Sequence, residues 1–334
     1  MSQTTSGSEA NGDSSSSSST DDSAGGSAST STGTIRDIGT ETDFGSGQPP
    51  GCQGKVDLLF VISRGGTMKT EQTQLLASFA GFIDTIEQKL EGFDVHIMTA
   101  NPDGYWPGWT CEKQGCIGPE NWPNCGPDAE DYQCGVYPDL ITPCDEKLGA
   151  GLIFNAGGGA ANKVCDLHDG HRYIVNGEPD MKGALECIAK VGWSGGDNLL
   201  GDAMIAALSA DLNGPGKCNE GFLREDALLV VTFITDHADE SKVWSGGQED
   251  AILAAKGDPR SVVLLAVVPE VLEEGEPLPP PGCAYDPIPP RAYDELFSKF
   301  PFHVYGDTCA PSYAPFFDMA AEKIGEACAS YVPQ

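Results

Sequence analysis

Apolar positions along this chain fall into two spacings. Val56 and then Leu58 to Ile62 form a nearly continuous apolar run, as do residues 227–235 and 261–268. Runs of that length predict strands buried on both faces, the habit of a parallel central sheet. Residues 93–99 predict a further strand and 302–305 a short one. Between them the spacing changes to three and four. Leu75, Leu76, Phe79, Phe82, Ile83 and Ile86 lie on one face of a helix over 68–90, with Gly92 as its stop signal. Helices are also predicted over 181–190, 199–212, 248–256, 291–300 and 313–329. Strands alternating with helices define an α/β fold, a doubly wound and mostly parallel sheet. Ligands of such sheets bind at the carboxyl ends of the strands, which here carry Ser63, Thr99, Asp236 and Gly306.

Two stretches have neither spacing. Residues 1–50 are Ser, Thr, Gly and Asp with an unbroken serine run from Ser14 to Ser19, so they lack the apolar surface that would offset the entropy of ordering. They are expected to form a disordered tether spanning about 40 Å as a flexible coil. The domain then covers 51–334. Within it, residues 101–180 are rich in Gly, Pro and Trp and hold six cysteines, Cys111 to Cys165. That composition predicts a disulfide-stapled insertion without a large core of its own.

Charge and cysteine content narrow the class. The formal charge is −31; the tail carries seven acids and Arg36, leaving about −25 on the other 284 residues. Nucleic acid is excluded as an expected partner because backbone recognition needs a cationic surface. The twelve cysteines include no Cys-x-x-Cys pair, which removes the usual zinc-ribbon and thioredoxin spacings and favours disulfides in an oxidising compartment. A secreted or surface-tethered protein is expected. The Ser-rich stalk is what a mature bacterial lipoprotein carries, so the expectation includes a lipid anchor at the amino terminus.

Three segments in this order carry a resemblance. They are Val56 to Met68, Gly221 to Ala227 leading into Phe233-Ile234-Thr235-Asp236, and Asp307 to Phe317. Together they resemble the von Willebrand factor type A family, in a bacterial secreted branch with a Cys-rich insertion, over roughly residues 52–334. The resemblance implies a binding or adhesion module that holds a divalent cation through Asp-x-Ser-x-Ser, a Thr from a later loop and a later Asp. Small hard cations need such oxygen ligands. Here Ser63 stands at the aspartate position and Gly65 at the first serine position; Thr67 and Asp236 match, and Ser194 falls near the Thr loop. The metal-ligand set is thus reduced to Ser63, Thr67 and Asp236. The expectation is a non-enzymatic module with a degenerate site and no cofactor or weakly held Mg, Mn or Ca. Ser63, Arg64, Thr67, Ser194 and Asp236 line a face for a protein or surface ligand, with Arg64 offering a cation to a partner carboxylate. The alternatives are a module that still uses the cation and a secreted hydrolase.

The hydrolase alternative rests on the chain order Ser63, Asp236, His303. Val61 stands where a nucleophile elbow needs its first glycine, and a hydroxyl capping the next helix is the plainer reading of Ser63. His168 and His171 in the insertion read as a surface turn. Gly157 to Gly159 lacks the Lys-Ser/Thr of a phosphate loop and reads as a connection. Trp106, Trp109 and Trp122 read as core or recognition aromatics of the insertion.

Overall fold

The computed structural model describes residues 52, 54–89, 91–106, 140–193, 195–269 and 291–331. The expected tether, Ser194, Trp109 and Trp122 lie outside them. Five strands form one parallel sheet: β1 (Lys55–Ile62), β2 (Asp94–Ala100), β5 (Leu228–Ile234), β6 (Val262–Val268) and β7 (Phe302–Asp307). Their order is β2-β1-β5-β6-β7, and every neighbouring pair runs parallel. The small hairpin of β3 (Phe154–Asn155) and β4 (Lys163–Val164) lies apart from it.

The continuous apolar runs are explained by what covers each side. Val56, Leu58, Phe60 and Ile62 of β1 pack with α1 (Lys69–Lys89), α2 (Met181–Ala189) and α7 (Ala314–Ser330). Leu59 and Val61 pack on the other face, with α3 (Leu200–Leu208), α5 (Ser245–Lys256) and α6 (Arg291–Phe297). The result is a three-layer α/β arrangement with helices on both faces. The helix expected over 199–212 is interrupted at Ser209, whose backbone is extended, and resumes as the single turn α4 (Ala210–Asn213).

The stretch after β2 is more integrated than its composition suggests. Ile97 exchanges backbone hydrogen bonds with Ile174 at 2.9 and 2.8 Å, and Thr99 O accepts from Leu152 N at 2.7 Å. These contacts cover the outer edge of β2, which would otherwise present unpaired backbone groups. Leu152, Leu167 and Ile174 are buried in the cluster formed by α1, α2 and α7. Among the described residues of the segment, Trp106, Phe154 and Ala156 form a small apolar cluster of their own. Disulfides secure the segment: Cys144–Cys218 and Cys165–Cys187, while Cys52–Cys328 closes the domain across 276 residues. Such cross-links fit an oxidising, extracytoplasmic environment. Among the described residues no helix is long and apolar enough to cross a membrane.

Candidate functional site

The strand order sets where a ligand can enter. From β1 the chain crosses to β2 on one side, then returns to place β5 on the other, so the winding reverses between β1 and β5. A crevice opens outside the carboxyl ends of two strands whose connections diverge, and this is where open α/β sheets bind ligands. Residues 63–67 leave β1 here, and residues 236–244 leave β5.

Ser63 prolongs the pairing by one residue, donating its N–H to Ile234 O at 2.8 Å. Its buried Oγ accepts from Gly65 N–H at 3.1 Å, closing a tight turn. Gln72, in the first turn of α1, donates to Ser63 O at 3.4 Å and accepts from Gly192 N–H at 3.0 Å, tying the turn to the loop after α2. From the β5 side, Asp236 is buried, and its backbone N–H points at Met68 Sδ at 3.3 Å. One carboxylate oxygen, Oδ1, accepts from His237 Nδ1. The other, Oδ2, is buried with no protein partner.

His237 completes the arrangement. Thr67 Oγ1, on the exposed side of the turn, stands 3.0 Å from its Nδ1 and 3.1 Å from its Nε2. The ring lies against Gly65, where a Cβ would meet Nδ1 at 3.2 Å and Cε1 at 3.3 Å. Its backbone is held as well: His237 N–H donates to Thr235 Oγ1, which donates in turn to His237 O, both at 3.0 Å. Beneath lies Glu71, which is buried and whose Oε2 has no protein partner. Burial, reinforced by the nearby Asp236 charge, lifts its carboxyl from 4.5 to about 7.

Arg64 corrects one expectation. Its guanidinium is turned inward, donating to Asn101 Oδ1 at 3.0 Å and to Tyr105 O at 3.4 Å, and it stands 3.6 Å from the Asp103 carboxylate. Both side chains of that ion pair are 1% exposed. Asp103 is an anion taken out of water, and Arg64 is the cation that compensates it. No free cation is therefore offered to a partner carboxylate. Gly195 N–H donates to Arg64 O at 2.9 Å and Gly196 N–H to Asp103 Oδ2 at 3.1 Å, so the loop flanking Ser194 closes over the pair.

The site brings together Ser63, Thr67 and Asp236, and it separates the hydrolase constellation. His303 pairs in register with Leu264, that with Val231, and that with Leu59. It is therefore three strands and four residues away from Ser63, about 14 Å across the sheet and about 13 Å along it. Its ring bonds to Phe300 O at 2.9 Å. Thr67, His237 and Asp236 superficially form a second hydroxyl–imidazole–carboxylate chain. An oxygen equally distant from both ring nitrogens, however, lies off the in-plane lone pair of either, which is poor alignment for proton transfer. As cation ligands, Ser63, Thr67 and Asp236 supply one carboxylate and two neutral hydroxyls. One carboxylate oxygen and the Thr67 hydroxyl already contact the His237 ring, so this donor set does not fit a divalent ion as arranged. Among the described residues no group of three or more His, Cys, Asp or Glu is placed to hold a metal.

No family model matches the chain, and no curated protein matches it. Among solved structures it is similar to proximal thread matrix protein 1 from the mussel byssus, at 8% identity and a TM-score of 0.35. The match covers 82% of this chain and 48% of that one, so the chain spans about half the length of that protein. A likeness this loose carries no argument about function.

Sequence reasoning did not single out Glu71, Asp103 or His237. His237 had a signal, a histidine directly after the aspartate that closes β5. Glu71 had one too, an acid on the apolar side of the first helical turn.

Proposed function

We propose that this chain is a non-enzymatic binding or adhesion module of the von Willebrand factor A type, secreted or tethered at a cell surface. Its contact face is the crevice at the carboxyl ends of β1 and β5, and its partner is a protein or surface ligand. The observation that carries the reading is the coincidence of the reversal between β1 and β5 with buried, unpartnered carboxylate oxygens of Asp236 and Glu71 at the crevice where Thr67 is exposed. Among the described residues these are the only carboxylate oxygens buried without a partner, and such a group calls for an explanation. The loop leaving the site also carries Trp244, 86% exposed at the start of α5. Exposed aromatics of this kind supply much of the energy in protein recognition. The non-enzymatic part of the reading is supported by the dispersal of Ser63 and His303 and by the engaged Ser63 hydroxyl.

The test is surface plasmon resonance with the full chain against a panel of extracellular-matrix and cell-envelope proteins. For any partner retained, Thr67→Arg and Trp244→Ala are each expected to weaken binding by about tenfold or more, a loss of about 1.4 kcal/mol. Lys323→Ala, on the outer side of α7, is the control and leaves binding unchanged. A partner held equally well by Thr67→Arg and Trp244→Ala would place recognition elsewhere and overturn the assignment of this face.

A further inference from the structure

We propose that the imidazole of His237 occupies the position a divalent cation would take between Ser63, Thr67 and Asp236, so that this face is assembled without a metal. The inference rests on the family reading above only for where an ion would stand; the contacts themselves are those of the structure.

One ring contacts two of the three groups from which an ion would draw oxygen, Thr67 and Asp236. Thr67 Oγ1 lies against it, 3.0 and 3.1 Å from the two ring nitrogens, and Nδ1 donates to Asp236 Oδ1. The ring also lies over Gly65 beside Ser63, whose Oγ would be 3.3 Å from a Cβ at that glycine. The two departures from the cation-binding pattern then have one cause. A serine at 65 would bring its Cβ to 3.2 and 3.3 Å from Nδ1 and Cε1, closer than ordinary contact, so glycine lets the ring sit there without displacement. An aspartate at 63 would add a third carboxylate beside Asp236 and Glu71. With no dication to offset them, like charges at that spacing are unfavourable. Serine avoids the charge and uses its hydroxyl to accept the Gly65 N–H.

The backbone that carries the ring is also held in place. His237 N–H and C=O are both bound to Thr235 Oγ1, and Asn198 Nδ2 donates to that same hydroxyl at 3.1 Å and to Ala238 O at 2.7 Å. The loop therefore holds the histidine Cα beside the turn after β1, and the ring contacts to Thr67 and Asp236 set the rotamer. Recognition then falls to hydrogen bonding by the ring and the Thr67 hydroxyl, in place of a metal bridge to a partner's acid.

The experiment is Mn2+ titration of the metal-stripped full chain, followed by electron paramagnetic resonance. The unmodified protein is expected to show only weak surface binding, the same with and without Asp236→Asn. The triple variant Ser63→Asp, Gly65→Ser, His237→Ala is expected to gain a single saturable site, tighter by about tenfold or more than the surface background and abolished by adding Asp236→Asn. A saturable site in the unmodified protein that Asp236→Asn removes would overturn the proposal. So would a triple variant with native circular dichroism and no gain. A second measurement needs no variant: stoichiometric Mn2+ is expected to leave the His237 ring resonances sharp, and selective broadening of them would overturn the proposal. These readouts follow the ion and not the partner, so a failure to capture any partner leaves them standing.

Discussion

The two ends of β1 bury the same chemical groups and treat them in opposite ways. At the amino end, Asp57 lies fully buried between two cations. It accepts from Arg224 N–H and Nε at 2.8 Å each and stands 3.5 Å from Lys256 Nζ. Arg224 Nη2 continues to Val56 O and Asp94 O at 3.0 Å, and Lys256 Nζ to Ala227 O at 2.9 Å. At the carboxyl end, Asp236 and Glu71 each leave one buried oxygen without a protein partner, and Arg64 is turned away to Asp103. A buried charge that is fully paired fixes how elements dock; one left partly unpaired costs stability and persists where a ligand face uses it. The first end is a joint between strands β1 and β2, the 224–227 turn and α5. The second is the working end.

The largest effect is expected at the joint. Burial lowers the Lys256 ammonium, and Asp57 is the main group that opposes the shift. Asp57→Asn would leave Lys256 and Arg224 without their shared anion, and losing one partner of a buried pair costs about 3–5 kcal/mol. Urea unfolding at neutral pH measures it directly. A loss below about 1 kcal/mol would show that the cations relax into water and that the contrast between the ends is not energetic.

A smaller, pH-dependent effect belongs to the other end. The Glu71 carboxyl is raised by burial to about 7 in the folded chain, from 4.5. Between those values the unfolded chain releases its proton while the folded one keeps it, so the folded state binds more protons and stability falls as pH rises through that window. The full cost, present above about pH 7, is on the order of 3 kcal/mol. Glu71→Gln is expected to match the parent near pH 4 and to exceed it by about 3 kcal/mol at pH 8. Parallel urea midpoints for the two proteins across that range would mean Glu71 ionises in the fold as it does in water.

What could be read from the chain in advance follows the same division. Strands β1, β5 and β6 were legible because both faces of the sheet are covered and each run is apolar throughout. The break at Ser209 was not, because Leu208 and Leu212 continue the helical spacing across it. The insertion's contribution to the core is not legible in the sequence, since Leu152, Leu167 and Ile174 are isolated contacts held by strand-edge bonds and disulfides, without a period. Asp57 was the single acid inside an apolar run and so required a partner. Its partners lie 167 and 199 residues away, which only the folded sheet reveals. At the site, Ser63, Thr67 and Asp236 came from a pattern of oxygens. That pattern gave no reason to look for a ring, and the inward turn of Arg64 depends on Asp103, a residue of the insertion.

The smallest stability effect is expected from Asp236→Asn, and it bears most directly on the contrast. The substitution keeps the volume and removes the charge. The His237 ring keeps an oxygen to donate to, and Glu71 loses the neighbouring charge that helps hold its carboxyl up. The loss of a charge-assisted hydrogen bond and the relief of carboxylate repulsion have opposite signs and similar size, each about 1–2 kcal/mol, so the net change is expected within about 1 kcal/mol. The Glu71 titration, followed by carbon-13 NMR of its carboxyl, should move downward from about 7 at the same time. If Asp236→Asn instead destabilises as much as Asp57→Asn, the carboxylate at the crevice is a structural ion like the one at the joint. The unpartnered oxygens would then mark the inside of the fold and not a face for a partner.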